Sequence, residues 1–160
     1  MLHLSKYKIF LLLPIFLFLT ACPVEKRVLL KSPAELMALQ TRNFEINKDP
    51  AMRAVVSVFQ DLGYIVQTTD NVTGLVTAKS PTVGNFNLFG RKMVDTKVTA
   101  VIEELQKNKT RVRLNFVESK RLSFGYGMKQ ENENPIYDSN VYQDAFTKIR
   151  NAIFLRKNTN

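Results

Sequence analysis

The chain has 160 residues, of which 45% are hydrophobic, and it carries a formal net charge of +9 at pH 7. These values predict one ordinary globular domain with a packed core. The single cysteine excludes an intramolecular disulfide, and the single histidine, His3, lies in an N-terminal targeting segment. Once that segment is removed, the residues for histidine acid–base catalysis, for catalytic triads and for zinc sites of histidine and cysteine are missing.

Residues 1–21 have the pattern of a secretory signal peptide. A short basic stretch precedes an apolar run from Ile9 to Leu19, which is shorter than the roughly 20 residues of a membrane-spanning helix. The run leads into residues 19–22, LTAC, which resemble the lipobox of bacterial lipoproteins. This resemblance implies that a lipid is attached to Cys22 and that the chain is cut before it. The alternatives are an ordinary secretory signal or an uncleaved anchor.

The resemblance to lipoproteins also implies a location. Two or more acyl chains hold a protein stably on a membrane. Pro23 follows the cysteine, where enterobacterial lipoproteins retained in the inner membrane carry aspartate. We therefore expect a lipid anchor in the outer membrane, with the protein facing the periplasm. Retention in the inner membrane and exposure at the cell surface remain the alternatives.

The first part of the mature chain is predicted to be a tether. It comprises the lipidated N-terminus and residues 22–40, with a short helix after Pro33. Residues 42–46 alternate polar and apolar, which predicts an edge strand. A helix follows, with Asp49 as its N-cap and Pro50 in its first position, and it ends at Gly63. Its apolar stripe consists of Met52, Val55, Val56, Phe59 and Leu62.

Four strands and a final helix complete the predicted domain, residues 41–157. Along the longer strands apolar residues alternate with polar or charged ones, which is typical of an antiparallel sheet covered on one side. Asp138 is a candidate cap for the last helix. The pattern predicts an α+β fold in which one antiparallel sheet of four to five strands carries two helices on one face. The predicted elements are Tyr64–Thr68, Thr73–Ser80, Met93–Leu105, Thr110–Ser119 and the helix Ser139–Leu155.

Several stretches of the mature chain resemble small periplasmic lipoproteins of bacteria. These stretches are residues 42–44 (RNF), 58–64 (VFQDLGY), 74–79 (GLVTAK), 142–146 (YQDAF) and 153–155 (IFL). They consist mainly of core and turn residues, so the resemblance bears on the fold. The order of elements also resembles the helix-grip domains of the C subunit of the outer-membrane β-barrel assembly machinery. A shared topology implies no shared function.

Two segments, residues 81–92 and 120–137, are predicted to be long loops at the same end of the sheet. Both combine aromatic and basic side chains, which are favoured at protein interfaces. We therefore predict a contact surface where the two segments meet. The alternative is that their aromatic side chains fold back onto the edge of the domain. The candidate contact residues are Phe86, Phe89, Arg91, Lys92, Arg121, Phe124 and Tyr126.

The sequence predicts a non-enzymatic accessory lipoprotein that contacts a protein assembly of the cell envelope. We expect no metal, no cofactor and no nucleic-acid partner. The nearest carboxylate pairs, Glu103–Glu104 and Glu131–Glu133, lie too close along the chain to form a two-carboxylate catalytic site. One alternative is a module that binds a lipid or glycan fragment in the cleft between sheet and helices. The other is an adhesion lipoprotein exposed at the cell surface.

Overall fold

The structure is a computed structural model that describes residues 31–87, 90–124 and 127–158. The described residues belong to one compact unit. The predictions for Cys22, Phe89 and Tyr126 concern positions outside the described residues.

Ten helices and strands follow one another along the described chain. The helices are α1 (Pro33–Gln40), α2 (Lys48–Asp61) and α3 (Ser139–Asn158). The strands are β1 (Thr41–Phe44), β2 (Ile65–Asp70), β3 (Leu75–Lys79), β4 (Val83–Asn87), β5 (Gly90–Gln106), β6 (Lys109–Phe124) and β7 (Lys129–Pro135).

The sheet is built around one long antiparallel hairpin, β5–β6. Its pairs run from Gly90 opposite Phe124 to Gln106 opposite Lys109. Each of these two long strands pairs along its outer edge with two shorter strands, which lie end to end. β3 and then β4 pair with β5, β1 and then β7 pair with β6, and β2 pairs with β3. We call β1–β3 with residues 96–106 and 109–116 the proximal half, and β4 and β7 with residues 90–95 and 117–124 the distal half.

The core lies between the proximal half of the sheet and helices α2 and α3. Alternate residues of the central strands are fully buried there, such as Ala100 on β5 and Leu114 on β6. The helices bury their apolar stripes against them, with Phe59 from α2 and Ile149 from α3 among the most deeply buried. The predicted α+β class, with one antiparallel sheet and helices on one face, is confirmed.

The number of strands differs from the prediction, because the sheet has seven rather than four to five. Residues 81–92 and 120–137 are largely strands and not long loops, since β4, β7 and the ends of β5 and β6 lie in them. Most of these residues are exposed, and β7 is exposed throughout. A strand without a buried face lacks the alternation of apolar and polar residues by which strands are recognised in a sequence.

Of the two predicted helix caps, Asp138 is confirmed and Asp49 is not. Asp138 accepts a hydrogen bond from the backbone N–H of Asn140 at 2.9 Å and so caps α3 as predicted. The predicted cap at Asp49 is wrong, because α2 begins at Lys48 and Asn47 precedes it. The Asn47 side chain instead accepts a hydrogen bond from the backbone N–H of Asn108, at 2.8 Å, in the β5–β6 turn.

Helix α1 lies within the predicted tether and belongs to the folded unit. It begins with a capping box, in which Ser32 and Glu35 exchange side-chain to backbone hydrogen bonds of 2.7 and 3.3 Å. At its other end Leu39 is part of the hydrophobic core. The folded structure therefore begins before residue 41.

The turn between β2 and β3 is held by the carboxylate of Asp70. This group accepts hydrogen bonds from the hydroxyl of Thr73 at 2.7 Å and from the backbone N–H of Val72 at 2.8 Å. Both bonds favour the charged form and lower the pKa of Asp70 below its ordinary value. A carboxylate with a lowered pKa stabilises the fold above its unfolded pKa, and this contribution is lost as the pH falls through the folded pKa.

We expect the Thr73→Val variant to raise the pKa of Asp70 towards its ordinary value, because the hydroxyl that contributes most to the shift is removed. The measurement is an NMR pH titration of the Asp70 carboxyl carbon. Thr69→Val is the control, since Thr69 precedes Asp70 on β2 but forms no hydrogen bond with its carboxylate. Equal pKa values in the two variants would contradict the assignment.

The outer edge of β6 has a gap between β1, which ends its pairing at Arg113, and β7, which begins at Val117. Other groups fill this gap at Phe116. The backbone oxygen of Phe116 accepts a hydrogen bond from the N–H of Ile136 at 2.9 Å. The backbone N–H of Phe116 donates to the hydroxyl of Tyr142 at 3.4 Å, and that hydroxyl donates to the Ile136 carbonyl at 3.0 Å. Tyr142 thus connects α3 to the sheet where the two halves meet.

Replacing Tyr142 with phenylalanine is expected to lower the free energy of unfolding by about 1–2 kcal/mol, because the buried N–H of Phe116 loses its acceptor. The ring contact with Phe116, with centroids 5.2 Å apart, is kept. Urea denaturation measures the loss. Tyr137→Phe is the control, because the half-buried Tyr137 forms no hydrogen bond through its hydroxyl within the described residues. Equal losses in both variants would show that the hydroxyl of Tyr142 stabilises nothing.

Candidate functional site

The distal half of the sheet contains the segments in which the contact surface was predicted. The two segments are neighbours as expected, because Arg91 of one lies opposite Ser123 of the other. Large apolar side chains are exposed along this half, with Val83 72% and Phe86 78% accessible. Phe124 and Met128 are exposed as well. Exposed apolar side chains mark an interaction surface when they are contiguous, so their distribution over the faces of the sheet is decisive.

The pairing register distributes the predicted contact residues over two faces of the sheet. Residues directly opposite each other in antiparallel strands share a face. Phe86 lies opposite Arg91 and shares its face. Lys92 lies opposite Leu122 on the other face, and Phe124, opposite Gly90, shares that second face. The structure therefore does not bring the predicted residues together in one patch.

Two stretches of this region carry basic residues and no acidic ones. Residues 83–94 and 119–130 contain five arginines and lysines and no acidic residue. Arg91, Lys92 and Lys129 are exposed, so the basic groups are available beside the apolar ones. The β7 strand differs, because Glu131 and Glu133 place negative charge along its length.

Arg121 is held in an ion-pair network and does not extend freely from the surface. Its guanidinium forms an ion pair with Asp95, whose side chain is 3% exposed. The Nζ of Lys79 lies 3.2 Å from the other carboxylate oxygen of Asp95. Lys79 ends β3, so the network joins three adjacent strands where the proximal and distal halves meet. Arg121 therefore stabilises the sheet within the described residues.

Sequence reasoning missed this network. Asp95 falls in the polar positions of β5, together with Lys97 and Glu103, so the alternation gives no sign that its side chain is buried. Its partners come from β3 and β6, and the register that places them beside Asp95 depends on the whole sheet.

A groove lies apart from the distal half, beside α2. Its volume is about 380 Å³. The groove runs between one face of α2, the end of β2 and its turn, and the last turns of α3. It is lined by Met52, Arg53, Val56, Ser57, Gln60, Thr69, Asn71 and Arg156.

Two features are absent from the part of the chain that the structure describes. In that part no group of three or more histidine, cysteine, aspartate or glutamate side chains is arranged to hold a metal ion. No helix there has both the length and the apolar character needed to cross a bilayer.

Comparison with known proteins identifies no family and gives remote structural likenesses. No protein-family model matches the chain, and no curated protein matches it. Among solved structures, a DUF4468 family protein from Bacteroides ovatus has a TM-score of 0.39 and 10% identity over 71% of this chain and 84% of that one. A TBP-like protein from Parabacteroides distasonis has a TM-score of 0.35 and 13% identity over 69% of this chain and 91% of that one. At these scores the likeness assigns neither fold nor function.

Proposed function

We propose that this chain is a non-enzymatic lipoprotein, anchored by lipid in the outer membrane and facing the periplasm, whose distal half contacts an envelope protein assembly. One observation carries the proposal: the distal half exposes Val83, Phe86 and Phe124 over its two faces, beside basic side chains, and Met128 is exposed just before β7. Large apolar groups and arginine are favoured at protein interfaces.

The two outer strands of the distal half suggest where the partner binds. An unpaired sheet edge accepts a further strand unless charges or proline protect it. β7 is protected in this way, because it carries Lys129, Glu131 and Glu133 and ends at Pro135. β4, with the sequence VGNFN, has no charged residue and exposes Val83 and Phe86. We therefore place the contact with the partner along the edge of β4.

The anchor rests on the sequence. The lipobox-like residues 19–22 follow an apolar signal segment, and Cys22 is the only cysteine of the chain. Changing Cys22 to alanine is expected to move the protein out of the membrane fraction or to leave the uncleaved precursor. Cell fractionation with mass measurement of the product tests this. A variant that is processed and membrane-bound like the wild type would contradict lipidation.

The contact surface is tested by crosslinking in cells. A photoreactive residue at position 85 on β4 is expected to capture a partner protein, and the double change Val83→Ala with Phe86→Ala is expected to abolish the capture. Val72→Ala is the matched control, because Val72 is 89% exposed but lies in the β2–β3 turn of the proximal half. Undiminished capture by the double variant would refute contact at β4.

A further inference from the structure

We propose that the groove beside α2 is a binding site for a small organic molecule with an oxyanion, either a carboxylate or a phosphate ester, held by Arg53 and Arg156. This site lies between α2, α3 and the end of β2, and it shares no residue with the contact surface on β4. Its volume of about 380 Å³ falls within the range of small-molecule sites in proteins.

Arg53 and Arg156 both line the groove, and no acidic residue lines it with them. The Nη2 of Arg156 donates to the backbone oxygen of Arg53 at 3.5 Å, and its Nη1 donates to Ala152 at 3.3 Å. Both distances lie beyond the usual range for such bonds, so most donor capacity of the two guanidinium groups is unused. Within the described residues neither arginine forms an ion pair, and none of the residues that line the groove is acidic.

Some other cations of the domain have an acidic partner. Arg121 and Lys79 share Asp95, and Arg111 lies 3.7 Å from Glu103. A bound anion would supply the acidic partner that the Arg53 and Arg156 guanidinium groups lack. The planar guanidinium fork suits the paired oxygens of carboxylates and phosphates.

The rest of the lining defines the remainder of the ligand. Ser57, Gln60, Thr69 and Asn71 supply neutral hydrogen-bonding side chains. Met52 and Val56 supply apolar surface. A cleft of mixed polarity that is lined by two arginines is suited to an organic anion that has hydroxyl or amide groups, and it is larger than an inorganic anion requires.

The test is an NMR titration of the full chain in non-ionic detergent micelles at low ionic strength, with glycerol 3-phosphate in one arm and citrate in the other. We expect saturable shifts of the amides of Ser57, Gln60 and Asn71 with at least one probe. The arm that saturates at the lower concentration distinguishes a phosphate ester from a carboxylate.

Variants of the arginines separate this site from general attraction of anions to a basic protein. Arg53→Ala and Arg156→Ala are each expected to weaken binding about tenfold or more, because a charged hydrogen-bonding partner is lost. Arg53→Lys keeps the charge but not the fork, and we expect an intermediate loss. The control Arg150→Ala removes an exposed arginine of α3 that does not line the groove, and it is expected to bind like the wild type.

Three results would overturn the proposal. They are a lack of saturation by either probe below about 10 mM, unchanged binding after both arginine-to-alanine changes, or an equal loss in Arg150→Ala. The double variant of Val83 and Phe86 is expected to bind the probes normally. The two proposals can therefore fail separately.

Discussion

Replacing Gly74 with alanine is expected to destabilise the domain by about 3 kcal/mol or more. Gly74 follows the β2–β3 turn with φ +74°, a conformation that costs other residues about 1–2 kcal/mol. A Cβ atom there would lie 2.0 Å from the backbone oxygen of Ile102, a contact that real structures do not tolerate. Because the atom it meets belongs to the backbone, no side chain can rotate away.

The strand that Gly74 meets has little freedom to move. The N–H of Ile102 donates to the Gly74 carbonyl at 2.8 Å, so a displacement large enough to admit a methyl group breaks that hydrogen bond. Ile102 is fully buried on β5, and its movement would also disturb the packing of the core. The conformational strain at position 74 and the steric collision with Ile102 therefore both lower the stability of the variant.

Gly63→Ala is the matched control for this prediction. Gly63 also has a positive φ, +82°, but a methyl group added there would extend into open space. We expect the control to lose only the conformational part, about 1 kcal/mol. Chemical denaturation of both variants gives the comparison. If Gly74→Ala were no more destabilised than Gly63→Ala, the close approach to Ile102 would not be a constraint on the fold.

The second large effect is expected at Asp95. Changing it to alanine leaves Lys79 and Arg121 close together without their shared carboxylate, and we expect a loss of about 2–4 kcal/mol in the free energy of unfolding. Breaking a fully buried pair costs about 3–5 kcal/mol. The value here is placed lower because the two cationic side chains are 32% and 35% exposed, and water screens them in part.

The exposed pair of Glu103 and Arg111 provides the control. Glu103→Ala is expected to cost less than about 1 kcal/mol, as is usual for surface ion pairs. A double-mutant cycle of Asp95→Ala with Lys79→Ala then isolates the coupling between these two residues. A loss at Asp95 no larger than that at Glu103 would show that the network does not hold the strands together.

The sequence predicts well those elements that have one buried face. In α2, α3 and the proximal parts of β5 and β6, burial forces apolar residues to recur with the period of the helix or strand. The same reasoning identifies Gly63, because a positive φ favours glycine. At these positions burial or backbone conformation restricts the residue type, so the sequence indicates the structure.

The distal half could not be predicted in this way. β4 and β7 have no periodic apolar face, so their residues look like loops until the pairing with β5 and β6 is known. The ion-pair network and the groove depend on contacts between residues far apart in the chain, such as Arg53 and Arg156. Residue types alone do not specify such a juxtaposition, which follows from the packing of α3 against α2.

The long β5–β6 hairpin also has a consequence for the order in which the domain folds. β4, β5, β6 and β7 form an uninterrupted meander in which each strand pairs with the next along the chain. The proximal half instead needs β1, whose Thr41 pairs with Arg113, and it needs α3 from the end of the chain. Contacts that are local in sequence close at a lower cost in chain entropy. We expect the β4–β7 meander to form early, starting from its turns, and the hydrophobic core to close last, after β1 and α3 have packed.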